Sequence, residues 1–380
     1  MPFLPLYFKL LGVDDVGDIA MWSGLCLGVT PALTAMLAPF WGRLADRYGR
    51  KIMVERSLIS FVVVMGAMAY VQRPWHVFAL RAMQGFFAGY GSLTLTMAAD
   101  SAPRDRMAYA IGFVQTAQRL GPAIGPIVGG VVAQMVGLRH AFLVTACFYL
   151  VAVLLVVFMY DEHQAAHVES GAKDERVTFR NMLAFENFIL LMAVVFGLQF
   201  IDRSFGPVLP LFVTELGTPA GRVPIVAGVL FSIAAGTGAL GHHFCGRLLR
   251  KTSARRVIAG SAAVGAGGTF VYVLARSPWI LVLGTPIFGV AIGVATTAAY
   301  TAASSMMPAS GRGAGFGLLT TASLAGLALS PIVNGILGAT SIRAVFVLDT
   351  VAMVTLAVMV SRLMIGAPLG GTAAPATEEM

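Results

Sequence analysis

The chain has 380 residues, of which 57% are hydrophobic and 12% are charged, and its formal net charge is +8. A soluble domain normally carries about 25% charged residues, so this sequence has too little polar material to cover two soluble domains in water. The composition excludes that class and indicates a membrane protein.

Eleven stretches of the sequence are apolar enough to cross a bilayer, which needs about 20 mainly apolar residues. A closed β-barrel would instead show alternating segments of about 10 residues. The expected fold is therefore an all-α polytopic membrane protein. In chain order the predicted spans are 19–42, 57–72, 74–99, 107–138, 140–160, 187–214, 223–246, 257–275, 277–311, 313–342 and 344–361.

The basic residues lie mostly in alternate connections between these spans. If residues 43–56 are cytoplasmic, the cytoplasmic connections carry 17 of the 26 basic residues, the outer connections carry six and the spans carry three. This positive-inside bias predicts a plasma or inner membrane protein with its central linker and C-terminus in the cytoplasm. The net charge follows the topology and does not indicate a nucleic-acid partner.

The first residues, "MPFLPLYFKLLG", align with "PVLPLFVTELG" at 207–217, where a long apolar run precedes Pro207. Residues 1–11 cover only about 17 Å as helix, roughly half of the hydrocarbon thickness. We therefore expect them to be the outer end of a first helix whose remainder lies upstream of Met1. A shortened chain is the alternative.

The stretch "GRLADRYGRK" at 42–51 places five charged residues in ten at the membrane surface. It resembles the signature G-x-L-x-D-R-x-G-R-[KR] of the major facilitator superfamily, which implies that fold. We expect a short, rigid inner loop in which Asp46 caps the helix starting near Gly313 and latches the outward-facing state. A merely solvated loop is the alternative. The matching residues are Gly42, Leu44, Asp46, Arg47, Gly49, Arg50 and Lys51.

The stretch "LRAMQG" at 80–85 resembles a family signature of the fourth helix, with Arg81, Gln84 and Gly85 in place. An arginine inside a span costs about 3 kcal/mol on insertion scales. The resemblance implies that Arg81 takes part in proton transfer. An arginine that reaches the outer interface is the alternative.

The stretch "RLGPAIGPIVGG" at 119–130 resembles the antiporter motif of drug–proton exchangers, which implies export. Glycines that recur every four residues lie on one helix face and allow another backbone to approach, and prolines bend the helix. Arg119 is a further buried cation. The motif residues are Gly121, Pro122, Gly125, Pro126, Gly129 and Gly130.

A polar stretch at 161–182 separates two halves that repeat at an offset of 204 or 205 residues. "RPWHVF" at 73–78 returns as "SPWILV", and "LRHAF" at 138–142 returns as "IRAVF". Each half should hold six helices, so the chain holds eleven full spans and a partial first helix. The predicted domains are a first half at 1–160, a cytoplasmic linker at 161–184, a second half at 185–363 and a disordered cytoplasmic tail at 364–380.

Asp202 and Arg203 interrupt the seventh helix, and as neighbours they are expected to point about 100° apart without facing each other. The resemblance puts Arg81 and Asp202 on helices that line the central cavity. Asp202 is our candidate for the proton-exchanging carboxylate, tuned by Arg81 or Arg119. A static ion pair is the alternative, and Asp349 is expected to be a packing residue.

The predicted function is proton-coupled efflux of small amphipathic compounds or drugs by alternating access between two six-helix halves. The first alternative is efflux of an endogenous metabolite, sugar or organic anion. The second is a transport-inactive membrane sensor or scaffold. The sequence shows no nucleophile, metal or acid–base cluster, so we expect no enzyme, metal or cofactor. The expected energy source is a proton gradient, and the expected partners are a small-molecule substrate and the bilayer around a monomer.

Overall fold

The computed structural model describes residues 3–90, 93–94, 97–98, 107–160, 187–306 and 312–364. The predicted linker at 161–184 and the tail beyond Met364 lie outside the described residues, as do the side chains of Gly42, Asp46 and Arg119. The described part is helical, with a short 3-10 turn at Ala220–Arg222. Its helices are α1 Leu4–Leu10, α2 Val16–Tyr48, α3 Arg50–Met68, α4 Pro74–Phe87, α5 Met107–Met159, α6 Phe188–Glu215, α7 Val223–Leu249, α8 Ala254–Leu274, α9 Pro278–Met306, α10 Arg312–Thr340 and α11 Ile342–Leu363.

Local sequence explains where several helices begin. Asp15 caps α2, because its carboxylate accepts a hydrogen bond of 2.8 Å from the backbone N–H of Asp18. Proline occupies the first turn of α4 and α7, where a missing N–H costs nothing. These signals coincide with the start of apolar runs.

Eight helices of the described part are long and apolar enough to cross a membrane. The sequence predicted eleven spans, and two differences have clear causes. The stretch Leu120–Met159 contains two predicted spans, since α5 breaks at Gly137 (φ 81°, ψ 160°). Helix α3, which contains most of the predicted span 57–72, is not among the eight. It begins at Arg50, seven residues before that span, and its first turns carry charged residues, which lower its hydropathy.

The predicted inner loop at 42–51 is mostly helix. Helix α2 continues to Tyr48 and α3 begins at Arg50. The turn therefore consists of Gly49 alone, with φ 94° and ψ 149°. A side chain rarely adopts that positive φ, so glycine is required at this one position. The expectation of a short inner loop over 42–51 was therefore wrong.

The helices run alternately between two ends of the bundle. We call the end at Gly49 the basic end, because Arg50, Lys51 and Arg255 lie there. We call the other end, where α2, α7 and α11 begin, the opposite end.

The repeat of the two halves is visible in matching hydrogen bonds at the opposite end. Arg139 donates to the carbonyl oxygens of Ala69 (3.3 Å) and Val71 (3.0 Å). In the same way Arg343 donates to the carbonyl oxygens of residues 273 (2.8 Å) and 275 (3.0 Å). Donors and acceptors are all displaced by 204 residues. In both halves an arginine thus covers the carbonyl end of a helix.

A second pair of contacts repeats at the basic end. Lys51 donates to the carbonyl oxygen of Val157 at 3.0 Å, and Arg255 donates to that of Ser361. Both members of the pair are again displaced by 204 residues. The halves are therefore built alike at both ends of their helices.

Helix α1 packs in the same way as the end of α6, which is its counterpart in the sequence repeat. The rings of Tyr7 and Phe142 lie 4.9 Å apart between centroids, and those of Phe212 and Phe346 lie at the same 4.9 Å. Tyr7 also donates a hydrogen bond to the carbonyl oxygen of Met68. The alignment of residues 1–12 with 207–217 thus corresponds to a shared position in the two halves.

Candidate functional site: the seam between the halves

Helices α2 and α10 approach each other so closely that only glycine fits between them. A Cβ atom added to Gly24 would lie 2.1 Å from the carbonyl oxygen of Pro331. One added to Gly335 would lie 2.6 Å from the carbonyl oxygen of Ala20. Contacts of this kind let helix backbones pack directly in a membrane.

Helices α5 and α7 make a second contact of the same kind. A Cβ atom added to Gly228 would lie 2.5 Å from the carbonyl oxygen of Pro126. One added to Gly130 would lie 2.8 Å from the carbonyl oxygen of Pro224. Both contacts again join the first half to the second.

The two contacts are related by the internal repeat. Gly24 corresponds to Gly228 and Ala20 to Pro224 at an offset of 204, whereas the α5 residues correspond to Pro331 and Gly335 at 205. The counterparts of the two helices in one contact therefore form the other contact, which is the pattern of a two-fold interface. We call these two contacts together the seam.

The seam lies in the opposite-end half of the helices. Gly17 and Gly28 extend it along α2, because added Cβ atoms would lie 2.8 Å and 2.6 Å from the carbonyl oxygens of Ala339 and Ala328. Among the described glycines, every backbone contact across the halves falls in this region. The seam therefore closes the opposite end of the space between the halves.

The antiporter motif contributes only two of its residues to the seam. Pro126 and Gly130 make the contacts above, but no described atom lies within 4 Å of an added Cβ at Gly121 or Gly125. At Gly129 the nearest atom belongs to the ring of Phe3, at 3.3 Å. The expected close approach along the whole glycine face is therefore absent in this conformation. Helix α5 also continues through Pro122 and Pro126, and its backbone breaks at Gly137 instead.

The second half places two polar residues where the first half has glycines. Ser330 and Asn334 correspond to Gly125 and Gly129 at an offset of 205. Both are fully buried, and the amide of Asn334 donates to the carbonyl (2.9 Å) and hydroxyl (3.1 Å) oxygens of Ser330. The amide oxygen of Asn334 has no partner among the described residues. Sequence reasoning missed this pair, although the repeat offset pointed to it.

Arg81 lies inside the first half and does not reach the surface. Its side chain is 6% exposed, and it donates to the carbonyl oxygen of Cys26 (3.1 Å) and to the side chain of Gln84. Thr30 donates to the carbonyl oxygen of Arg81 at 2.9 Å. A Cβ added to Gly85 would lie 2.6 Å from the carbonyl oxygen of Thr30. The signature of the fourth helix therefore fastens α4 to α2.

Asp202 and Arg203 do face each other, contrary to expectation. The Nε atom of Arg203 lies 3.4 Å from a carboxylate oxygen of Asp202, with the side chains 50% and 35% exposed. A long arginine side chain bends back along the helix surface, so the 100° between neighbouring Cβ atoms does not separate the charges. Asp202 thus pairs with Arg203, whereas Arg81 pairs with Gln84.

Asp349 is the most deeply buried acidic residue of the described part. It is fully buried on α11, and one carboxyl oxygen lies 2.5 Å from the hydroxyl of Ser204 on α6. Its other oxygen has no partner in the described residues. Sequence patterns do not indicate Ser204 as its partner, because 145 residues separate the two.

Lys51, next to the turn at Gly49, binds backbone carbonyl groups near the end of α5. Lys51 donates to the carbonyl oxygens of Val157 and Tyr160, at 3.0 Å and 2.6 Å. Arg47 lies over the ring of Tyr48, and Leu44 is half-buried. The contact predicted for Asp46 lies outside the described side chains.

Arg56 and Trp41 form a contact that the sequence did not suggest. The guanidinium carbon of Arg56 lies 3.4 Å from the centre of the Trp41 ring, and Arg56 also donates to the carbonyl oxygen of Phe87 at 3.1 Å. The Trp41 ring nitrogen donates to the carbonyl oxygen of Phe86 at 2.7 Å. Together the two side chains tie α2 and α3 to the end of α4.

A cavity of about 610 Å³ lies near the basic end of the second half. One face of α9, from Thr296 to Ser305, forms most of its wall, and His242 of α7 and Phe316 of α10 complete it. Among the described residues no group of three or more His, Cys, Asp or Glu side chains is placed to hold a metal ion. The seam and this cavity thus lie at opposite ends of the second-half helices.

Comparison with known proteins agrees with this architecture. A family model described as Major Facilitator Superfamily matches residues 1–285 and 244–379. The chain is 31% identical over 359 residues to a Lactococcus lactis subsp. lactis (strain IL1403) protein named multi-drug resistance efflux pump PmrA homolog, which covers 91% of this chain and 86% of the relative. It is 30% identical over 305 residues to multidrug resistance protein MdtG of Salmonella arizonae, which covers 79% and 74%.

A solved structure shares the fold at low sequence identity. It is the crystal structure of a bacterial homologue of the human lysosomal transporter Spinster in an inward-facing, unoccupied conformation. The TM-score is 0.79 and the identity 16%, over 96% of this chain and 92% of that one. The family match, the helical spans and the paired halves lead to one conclusion: the chain belongs to the Major Facilitator Superfamily and is a multi-pass membrane transporter, not an enzyme.

Proposed function

We propose that this transporter expels small amphipathic compounds or drugs in exchange for protons by alternating access. The observation that carries the proposal is the two-fold seam, which joins the halves by backbone contacts at the opposite end. These are packing contacts of glycine against the backbone of another helix, so the halves can rock apart there without breaking a helix. The names of the relatives, which describe multidrug efflux, support the choice of cargo.

The orientation follows from the distribution of basic residues, which places the basic end, the linker at 161–184 and the tail at 364–380 in the cytoplasm. The seam then closes the outer side, and the half-domains at 1–160 and 185–363 separate toward the cytoplasm. An exporter loads its cargo in this state. The antiporter motif serves export because Pro126 and Gly130 belong to the surface that closes the outer side.

We propose that the residues around Gly49 act in the opposite state. Asp46 lies on the last turn of α2, and α10 begins at Arg312, so both lie at the basic end. A carboxylate is favoured at a helix N-terminus by the helix dipole. The Asp46 latch would therefore form when the basic end closes and the seam opens.

For proton coupling we retain Asp202 as the first candidate. Its carboxylate is partly exposed and paired with Arg203, so protonation would break an ion pair on α6, the helix that also carries seam-side contacts to α2. Arg81 would hold α4 against α2 during the change, through its hydrogen bonds with Cys26 and Thr30.

The test is transport by the purified protein in proteoliposomes with an imposed pH gradient. We expect uphill movement of an amphipathic dye that collapses when an uncoupler is added, and Asp202→Asn should keep dye exchange at equal pH while losing the uphill component. Arg250→Gln, a change at an exposed cytoplasmic-end position, is the control. Dye transport that ignores the gradient would exclude proton coupling, and no transport of any compound would favour the sensor or scaffold alternative.

A further inference from the structure

The cavity beside α9 has a chemical character of its own. The rings of Tyr300 and Phe316 line it, and they are nearly parallel, with an interplanar angle of 12° and centroids 6.5 Å apart. Flat aromatic molecules bind by stacking on such faces. We propose that this cavity is the loading site for uncharged, planar aromatic compounds that carry hydrogen-bond donors, a proposal that rests on the exporter function above.

The hydroxyl groups of α9 explain the preference for donors. Thr301 donates its proton to the carbonyl oxygen of Thr297, and Ser305 donates to that of Ala302, each at 2.8 Å. Each hydroxyl has a single proton, so these two oxygens are left to accept hydrogen bonds from a ligand. Ligands that offer O–H or N–H groups match this wall.

The charge of the wall explains the preference for neutral compounds. Its described residues include no Asp, Glu, Lys or Arg, and the titratable residue His242 already contacts the hydroxyl of Thr297 at 2.6 Å. A ligand ion would meet no opposite charge among these residues, so the wall offers it no ion pair.

The position of the cavity fits loading from the cytoplasm. Ser305 lies in the last turn of α9 and Phe316 in the second turn of α10, so the cavity lies near the basic end. The seam closes the other end of the same helices. A compound stacked on Tyr300 or Phe316 would be exposed to the outer side only after the halves rock.

The test is equilibrium binding of four matched probes to the protein in lipid nanodiscs, with partitioning into empty nanodiscs subtracted. The probes are 1-naphthol, 1-methoxynaphthalene, 1-naphthoate and trimethyl(1-naphthyl)ammonium. We expect 1-naphthol to bind about tenfold more tightly than the other three. Tighter binding of the cation or of the anion would overturn the proposal.

Variants separate the rings from the hydroxyls. Tyr300→Ala and Phe316→Ala should each weaken 1-naphthol binding at least fivefold, Tyr300→Phe should keep most of it, and Thr301→Val should reduce the advantage of 1-naphthol over 1-methoxynaphthalene. Phe270→Ala is the control, because Phe270 is an exposed phenylalanine on α8 outside the cavity.

Unchanged 1-naphthol binding in both the Tyr300→Ala and the Phe316→Ala proteins would overturn the site. Uncoupler-sensitive dye export without naphthol binding would reject this inference alone, whereas specific naphthol binding without any export would reject the exporter function and keep the site.

Discussion

At the scale of single residues, the pair of Ser204 and Asp349 shows how a polar group is accommodated in an apolar core. The hydroxyl of Ser204 lies 2.9 Å from the carbonyl oxygen of Ile201 and 2.5 Å from a carboxyl oxygen of Asp349. The stripe of α11 that carries Asp349 is otherwise apolar, with Phe346 and Met353 as neighbours on the same face. The serine is thus the only described side chain that satisfies this carboxyl group.

We predict that Ser204→Ala destabilises the protein by about 1–3 kcal/mol, because it leaves a buried carboxyl group without its partner. Asp349→Asn should cost less, since an amide keeps the shape and the hydrogen bond without a charge. Thermal unfolding in detergent measures both changes, and the double variant gives the coupling between them. A Ser204→Ala protein that unfolds at the parental temperature would show that the pair contributes nothing.

At the scale of helices, two arginines cover helix ends at equivalent places in the two halves. The carbonyl groups of the last turn of a helix lack partners within the helix. Arg139 satisfies those at the end of α3, and Arg343 those at the end of α8. Arg343 additionally lies 3.6 Å from Glu215 at the end of α6.

Arg343→Ala should lower stability by about 1–2 kcal/mol, because two hydrogen bonds to carbonyl groups are lost at about 1 kcal/mol each. Arg343→Lys should recover part of the loss, since an ammonium group reaches one carbonyl but cannot span two. Arg256→Ala, at an exposed position, is the control. Equal unfolding temperatures for the Arg343→Ala and Arg256→Ala proteins would contradict this role.

The seam is the second feature at the helix scale, and it separates glycines that have no room for a side chain from glycines that do. An added methyl group at Gly24 or Gly228 would lie within 2.5 Å of a carbonyl oxygen, whereas at Gly125 it would meet no described atom within 4 Å. We therefore expect Gly24→Ala and Gly228→Ala to open the opposite end and Gly125→Ala to leave it closed.

The readout is the labelling rate of a cysteine introduced by Ala20→Cys, a fully buried seam position, with a water-soluble maleimide. The native cysteines Cys26, Cys147 and Cys245 are free thiols and are first replaced by serine. Labelling should be about tenfold faster in the Gly24→Ala and Gly228→Ala proteins, which corresponds to about 1.4 kcal/mol in the closing equilibrium. The same acceleration in Gly125→Ala would argue against a specific seam.

At the scale of the whole molecule, the fold was largely predictable because two strong signals agree. Charge-free runs mark most of the spans, and the offset of 204–205 relates the halves down to single hydrogen bonds, as with Arg139 and Arg343. The residues at 42–48 were misjudged because charges on the last turns of a helix look like a loop in sequence. Gly49 alone makes the turn there.

The functional site was less predictable for physical reasons. The distinction between Gly130 and Gly121 depends on where two helices cross, which glycine spacing does not encode. The pairing of Asp202 with Arg203 depends on side-chain bending, and that of Asp349 with Ser204 on contacts between distant helices. Motif resemblance pointed to helices that make close contacts in the structure, but not to the atoms that meet.

We propose that the seam closes the outer side while the basic end is open, and that the two ends exchange. Paired spin labels measure this directly: one pair at Asp14 and Ser341, exposed at the opposite end, and another at Tyr48 and Leu363, exposed at the basic end. We predict that a shift of pH across the working range lengthens the distance between the labels at Asp14 and Ser341 and shortens the distance between those at Tyr48 and Leu363. Both changes should occur in the same fraction of molecules. Distances that stay fixed, or that lengthen together, would contradict alternating access about this seam.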